Sequence, residues 1–315
     1  MKNYLVTGVG GDIAQGIIRI IRESDLGINI IGCDINNKNA GSLFVDKFKL
    51  VNPAKEGKRY IKTIKALTIE FDVDVIIPST ESEVEILSNI DKSYLDCMVI
   101  NPGKKVIDIC TNKYKTNSFL RSIGLKVPWT NYSSDKYPDN YPCIFKANKG
   151  TGSKLLFVVD NIKEAEYLAK KYKNTIFQEL LLPDDYEVTC AVFRKKDGQI
   201  RVLQMKRKLT GGFTSWAKVI YDAEIENTCK YVAKELNLEG SMNIQLRKTN
   251  NGPRIFEINP RFSSTVYMRH LIGFEDFIWS IKDIMGEKLK FTDIAIGTEL
   301  VRTQGAKVLK VNTKN

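Results

Sequence analysis

Twenty residues late in the chain, Met242 to Arg261, read MNIQLRKTNNGPRIFEINPR, and this stretch does most to narrow the fold. Two runs of alternating apolar and polar residues flank Asn250, Asn251 and Gly252, which suit a tight turn, so the stretch predicts a β-hairpin. With the loop centred on Asn251, Gln245 faces Glu257 and Asn243 faces Asn259. Side chains alternate across a strand, which puts Asn243, Gln245, Glu257 and Asn259 on one face and Ile244, Leu246, Phe256 and Ile258 on the other. The apolar face calls for helices to cover it. The polar face carries one carboxylate and three amides where an ordinary wet strand carries Lys or Thr. These are oxygen ligands of the kind Mg²⁺ prefers, with too little protein charge for a dedicated cage, so phosphates would complete the set. Pro260 ends the ladder, and Arg261 follows with a guanidinium suited to a phosphate or carboxylate. A solvated strand face is the plain alternative.

Upstream, strands and helices alternate. YLVTGV is a strand, a glycine turn follows, and Ile13, Ile17, Ile20 and Ile21 fall at helical spacing. NIIGCD, VDVIIP and CMVINP are further strands with helices between them, which predicts a parallel sheet with helices on both faces across residues 1–105. From 106 to 184 the helix TNKYKTNSFLRSIG precedes the strands CIFKAN and LLFVVD, the amphipathic helix NIKEAEYLAKKYK and the strand TIFQELL, a small α+β unit. Strands dominate 185–315, with a turn at Asp197-Gly198, a helix near 222–237, the hairpin, and a C-terminal helical region. At 315 residues the chain is long enough for two or three cores.

Taken together the motifs resemble the ATP-grasp superfamily, in particular its carboxylate-amine ligase branch near carbamoyl-phosphate synthase large subunits, biotin carboxylase and the pyrrolysine-pathway ligase. The likeness covers most of the chain. It implies an ATP-grasp fold, α/β and α+β, with an N-terminal Rossmann-like pre-ATP-grasp domain (1–105), a lid subdomain carrying a glycine-rich loop (106–184) and a C-terminal catalytic subdomain holding the metal site (185–315). FEINPR implies metal-ligating Glu257 and Asn259 and a phosphate-contacting Arg261, and Gln245 in NIQLR matches a third metal ligand. NKYKT and FKAN imply that Lys113 and Lys146 touch the nucleotide phosphates. NKGTGSK is similar to the loop that closes over them, with Gly150, Gly152 and Ser153 offering backbone donors. FQELL resembles the hinge beside adenine, so Glu179 and the Leu181 backbone would meet the base, and Glu187 in DDYEVT the ribose. QMKRKLTGGFTSWA aligns loosely; Arg207 is a candidate phosphate or substrate contact, while Lys206 and Lys208 read equally as a basic edge. Glu81 in PSTESE either faces a cleft at a strand end or caps the helix it opens, and Ser263, Ser264 and Thr265 are candidates for the acceptor pocket or a plain polar loop.

The resemblance implies ATP with Mg²⁺ or Mn²⁺, two ions, and a reaction in which a carboxylate becomes an acyl phosphate that an amine attacks, releasing ADP and phosphate. Expected partners are a small carboxylate and a small amine, with no nucleic acid and no membrane, and a homodimer is compatible with the sequence. Composition agrees. The six cysteines form no Cys-x-x-Cys pair, and a single histidine, His270, leaves little for Ser-His or Cys-His catalysis. The net charge of +11 comes from scattered rather than blocked basic residues, which favours small phosphate ligands over nucleic acid. No apolar run approaches the roughly 18 residues a membrane span needs, and MKNYLVTGVGG is no signal peptide, so a cytoplasmic protein is expected.

A competing reading starts at TGVGGDIA, which follows a strand and opens a helix, with Asp34 at the end of the next strand. This is the pattern of a dinucleotide-binding turn, in which the acid holds a ribose. Tyr132/Lys136 and Tyr167/Lys171 also match the Tyr-x-x-x-Lys spacing of short-chain NAD(P)-dependent dehydrogenases. A non-catalytic nucleotide-binding regulator is a third reading.

Overall fold

The computed structural model describes residues 2–24, 26–150, 155–183 and 186–303. It divides into two compact units, one holding the chain through Lys104 together with Arg261–Ile294, the other holding Lys105–Pro260 with Ala295–Leu300. The segment expected to form one C-terminal subdomain, 185–315, therefore contributes to both.

In the first unit the strands β1 (Lys2–Thr7), β2 (Ile28–Asp34), β3 (Lys47–Leu50), β4 (Val75–Ile77) and β5 (Met98–Val99) form a parallel sheet of order β3-β2-β1-β4-β5. Helices α1 (Asp12–Glu23), α2 (Lys58–Glu70), α3 (Glu81–Leu87) and α4 (Lys92–Leu95) connect them. Alternation decides which helix covers which face. Tyr4, Val6, Ile30, Val75 and Ile77 pack with Ile17, Ile18 and Ile21 of α1 and with Phe262, Val266, Phe277 and Ile281. Leu5, Ile31, Cys33 and Ile76 point the other way, against Tyr60, Ile64 and Leu67 of α2 and Leu87 of α3. Each fully buried Ile or Leu adds about 1.5–3 kcal/mol of transfer free energy. The expected parallel sheet with two helical layers is what forms, and β3 is the strand the sequence pattern does not announce. Its KFKL run is half lysine because it is the sheet edge, where charge blunts an open ladder.

The second unit opens with α5 (Lys104–Cys110) and α6 (Lys113–Ser122) and contains two antiparallel sheets. The strands β6 (Thr130–Tyr132), β7 (Cys143–Ala147), β8 (Leu156–Val159) and β9 (Thr175–Glu179) pair in the order β6-β9-β7-β8, with α7 (Ile162–Lys171) packed on a core of Cys143, Phe145, Val159, Ala165 and Phe177. The larger sheet contains β10 (Glu187–Arg194), β11 (Ile200–Thr210), β12 (Phe213–Ile220), β13 (Gly240–Thr249), β14 (Gly252–Asn259) and β15 (Glu299–Val301), ordered β14-β13-β10-β11-β12-β15. Its apolar face is covered by α8 (Ala223–Glu235), through Ile225, Cys229 and Val232 against Val188, Cys190, Ile244 and Leu246. The short helix α9 (Val266–His270) and α10 (Asp276–Ile284) belong to the first unit. Among the described residues no helix is long and apolar enough to cross a membrane. All six cysteines are free thiols.

Candidate functional site

β13 and β14 form the predicted hairpin, closed by the pair Thr249 and Gly252, and Gln245 lies opposite Glu257 and Asn243 opposite Asn259 as the spacing required. One detail differs. Near the turn Leu246 pairs with Ile255, so a β-bulge at Phe256 shifts the ladder by one residue. Ile255 takes the place in the apolar core that the alternation gave to Phe256, whose side chain is only partly buried. The bulge thus keeps Glu257 and Asn259 on the polar face although the turn centres half a residue earlier than expected.

Neighbouring strands extend this face. Across β10, Thr189 lies opposite Gln245 and Glu187 opposite Arg247. Glu187 is clamped: Arg207 donates to its Oε1 from Nε at 2.9 Å and Nη2 at 2.6 Å, and Arg247 donates to its Oε2 at 3.1 Å. Arg247 also donates to the Leu181 carbonyl at 2.7 Å, tying the sheet to the end of β9. There the Glu179 carboxylate accepts from the Trp129 N–H at 3.2 Å.

Lys146 points from β7 toward the hairpin. Its Nζ donates to the Phe256 carbonyl at 3.4 Å and stands 5.5 Å from the Phe256 ring centroid. Only 6% of the residue is exposed. Burial pulls its ammonium down to a pKa of about 8, against the opposing pull of Glu257 and with the repulsion of Lys113. Lys113 opens α6, whose N-cap Asn112 accepts from the Lys115 N–H. Its Nζ lies 4.0 Å from Glu257 Oε1 and donates to the Gly150 carbonyl at 2.8 Å. Gly150, at φ +93°, adopts a backbone that side-chain-bearing residues avoid. Gly152 and Ser153 lie outside the described residues.

The second unit therefore brings together Lys113, Lys146, Gly150, Gln245, Glu257 and Asn259, with Glu179, Leu181, Glu187 and Arg207 linked through Arg247. Arg247 and Thr189 were not among the sequence candidates. Period-2 alternation from Gln245 would have found Arg247, whereas Thr189 needs the register between β10 and β13. The donor set Gln245, Glu257 and Asn259 is all oxygen with one carboxylate, which fits a hard cation shared with phosphates rather than a zinc site. Among the described residues no cluster of three or more His, Cys, Asp or Glu side chains suits a metal.

The other candidates lie in the first unit. Arg261 Nη2 is 3.7 Å from Glu81 Oε1. The cap of α3 is Thr80, whose hydroxyl and N–H form a capping box with Glu83, so Glu81 is not the capping residue the sequence allowed. Arg269 is fully buried, paired with Asp276 by two 2.7 Å bonds, and donates to the Ser263 and Thr265 hydroxyls at 2.8 and 3.1 Å. The Ser264 carbonyl accepts from Arg302.

The glycine turn uses its own polar groups. Asp34 Oδ2 accepts from the Gly10 N–H at 2.8 Å and Oδ1 from the Asn36 N–H at 2.9 Å, so the acid that would hold a ribose holds the turn. Gly8, at φ +61°, packs so close that an added Cβ would stand 2.7 Å from Ser79 Oγ. Of the Tyr-x-x-x-Lys pairs, Tyr167 and Lys171 bond each other on the outer side of α7, while Tyr132 stacks on Tyr114 and Lys136 pairs with Asp139.

Residues 110–265 match the family model of the ATP-grasp domain. A curated relative, an uncharacterized protein of Methanocaldococcus jannaschii, is 25% identical over 239 residues, which is 70% of this chain and 59% of that protein, so the chain spans less than two thirds of its length. The fold is similar to N5-carboxyaminoimidazole synthetase from Staphylococcus aureus complexed with ADP (TM-score 0.75, 17% identity, 95% of this chain and 80% of that one). It is also similar to the biotin carboxylase domain of Hydrogenobacter thermophilus 2-oxoglutarate carboxylase (0.72, 17%, 95% and 73%). A third likeness is to L-amino acid ligase from Bacillus licheniformis (0.67, 17%, 86% and 70%). The matched segment contains both lysines, the bulged hairpin and the clamped glutamate just described, and through this ATP-grasp domain the chain belongs to the ATP-grasp family.

Proposed function

We propose that the protein is an ATP-dependent ligase that activates a small carboxylate as an acyl phosphate for attack by an amine, with ADP and phosphate released. The observation that carries this reading is the charge arrangement around Glu257. Two lysines, Lys113 at 11% side-chain exposure and the still more buried Lys146, converge on one carboxylate in a wall of amides. Two cations against one anion leave positive charge unpaired in a desolvated place, which an anionic ligand such as a polyphosphate relieves.

Adenine would lie beside Glu179 and the Leu181 backbone, and the ribose beside Glu187, which Arg207 and Arg247 hold in place. Lys113, Lys146 and the loop from Gly150 through Gly152 and Ser153 would bind phosphates. Gln245, Glu257 and Asn259 would hold Mg²⁺ or Mn²⁺, one or two ions, which supply charge neutralisation at the phosphate oxygens. Arg261, Glu81, Ser263, Ser264 and Thr265 remain candidates for the acceptor substrate. Arg269 keeps the Ser263 and Thr265 hydroxyls occupied, so the backbone of that loop is its better recognition surface. The three-part division at about 105 and 184, a cytoplasmic location and a homodimer are parts of the same reading. No protein nucleophile is needed, in keeping with a single histidine.

The test is ADP release from Mg-ATP against a panel of carboxylates and amines. Glu257→Gln should abolish turnover, by a factor of about 100 or more, while circular dichroism and melting temperature stay close to wild type. Retained turnover in that variant contradicts the metal assignment.

A further inference from the structure

The order of groups along β13 has a consequence that rests on the nucleotide reading above. On the polar face the sequence runs Arg247, Gln245, Asn243. Arg247 is bonded to the Leu181 carbonyl and Glu187, the proposed base and ribose end. Gln245 lies opposite Glu257, and Asn243, two residues on, opposite Asn259. A strand advances about 3.3 Å per residue, so Asn243 stands about 13 Å from Arg247. An extended nucleoside triphosphate covers a comparable distance from its base to its last phosphate.

Asn243 is 1% exposed, and its Nδ2 has no hydrogen-bond partner among the described residues. Buried amide donors are almost always satisfied, and an exception asks for an acceptor that arrives with a ligand. The side chain is also fixed in direction. Thr189, itself fully buried on β10, donates from Oγ1 to Asn243 Oδ1 at 2.9 Å, which leaves the amide nitrogen as the free end.

We propose that Asn243 is a further ligand-binding residue of the site, donating from Nδ2 to an oxygen of the terminal phosphate of bound nucleoside triphosphate, and that Thr189 is its positioning residue. A neutral donor suits that place. It adds no charge beside the single carboxylate of the metal set, and it has a partner only when a third phosphate is present.

The experiment is calorimetric titration of the full chain with Mg-ATP and with Mg-ADP, for wild type, Asn243→Ala and Thr189→Val. A hydrogen bond to a charged acceptor corresponds to a factor of about 10 or more in affinity. Asn243→Ala should weaken ATP binding by about that factor and leave ADP binding unchanged. Thr189→Val, which keeps the amide but frees its rotation, should move the ATP-to-ADP ratio the same way by less, and it decides the matter should Asn243→Ala not fold. Equal weakening of both nucleotides, or of neither, overturns the proposal and leaves the nucleotide reading standing. Failure of the wild type to bind either nucleotide overturns both.

Discussion

The glycine turn after β1 and the polar face of β10, β13 and β14 both look like ligand sites on paper, and they differ in how their polar groups are spent. In the turn the Gly10 N–H goes to Asp34, the Gly11 N–H to the Gly8 carbonyl, and Thr80 and Glu83 cap each other. On the sheet face Lys146 has one long bond to a carbonyl, Lys113 stands 4.0 Å from the carboxylate it faces, and Asn243 keeps an unused donor among the described residues. A region that satisfies itself gains stability and has little left for a ligand, whereas one that leaves charge and donors uncompensated gives up stability that a ligand can restore. The difference assigns the turn to architecture and the sheet face to binding.

The sharpest way to break this contrast is Lys146→Met. Lowering an ammonium from its ordinary 10.5 to about 8 corresponds to roughly 3 kcal/mol against folding at neutral pH, at 1.36 kcal/mol per unit. The variant should lose nucleotide affinity by about 10-fold or more and yet melt several degrees higher than wild type without ligand, since about 1 kcal/mol moves the melting temperature of a domain this size by about 2–4 °C. A melting temperature that falls instead would make Lys146 a structural residue.

The same group sets a pH dependence. Below about 8 Lys146 is charged in both the folded and unfolded chain, and its burial counts fully against folding. Between about 8 and 10.5 the folded state releases the proton first, so this contribution raises stability with pH. Binding of a polyphosphate favours the charged form, and nucleotide affinity should fall as pH climbs past about 8. Titrations at pH 7, 8 and 9 with wild type and Lys146→Met check both signs; the variant should lack the trend.

A smaller and opposite effect belongs to the turn. Asp34→Ala removes the acceptor of the Gly10 and Asn36 N–H groups and should cost about 2 kcal/mol of stability, while nucleotide affinity stays at the wild-type value. A loss of affinity without a loss of stability would return the turn to the list of binding sites.

Much of this was legible in the sequence because it depends on short periods. Alternation in MNIQLRKTNNGPRIFEINPR fixed the partners Gln245–Glu257 and Asn243–Asn259, and the apolar runs fixed the parallel sheet. The Phe256 bulge was not legible, since nothing local distinguishes Phe256 from Ile255 as the core residue; the neighbouring core decides. Nor was the packing of Phe262, Val266 and Phe277 against β1 and α1, a pairing of residues more than 200 positions apart. The clamp on Glu187 was half visible: Arg207 and Arg247 are ordinary basic strand residues until register sets them opposite the same carboxylate.

The most direct test of the central claim is thermal unfolding of the wild type in parallel with Mg-ATP, ATP plus chelator, NADH and NADPH. A ligand at 100 times its dissociation constant adds about 2.7 kcal/mol to the native state. Stabilisation by ATP that weakens when the metal is chelated, with no response to NADH or NADPH, is the predicted result. Stabilisation by NADH or NADPH alone would contradict it, and would mean that the glycine turn, not the amide-lined sheet, is where this protein meets its ligand.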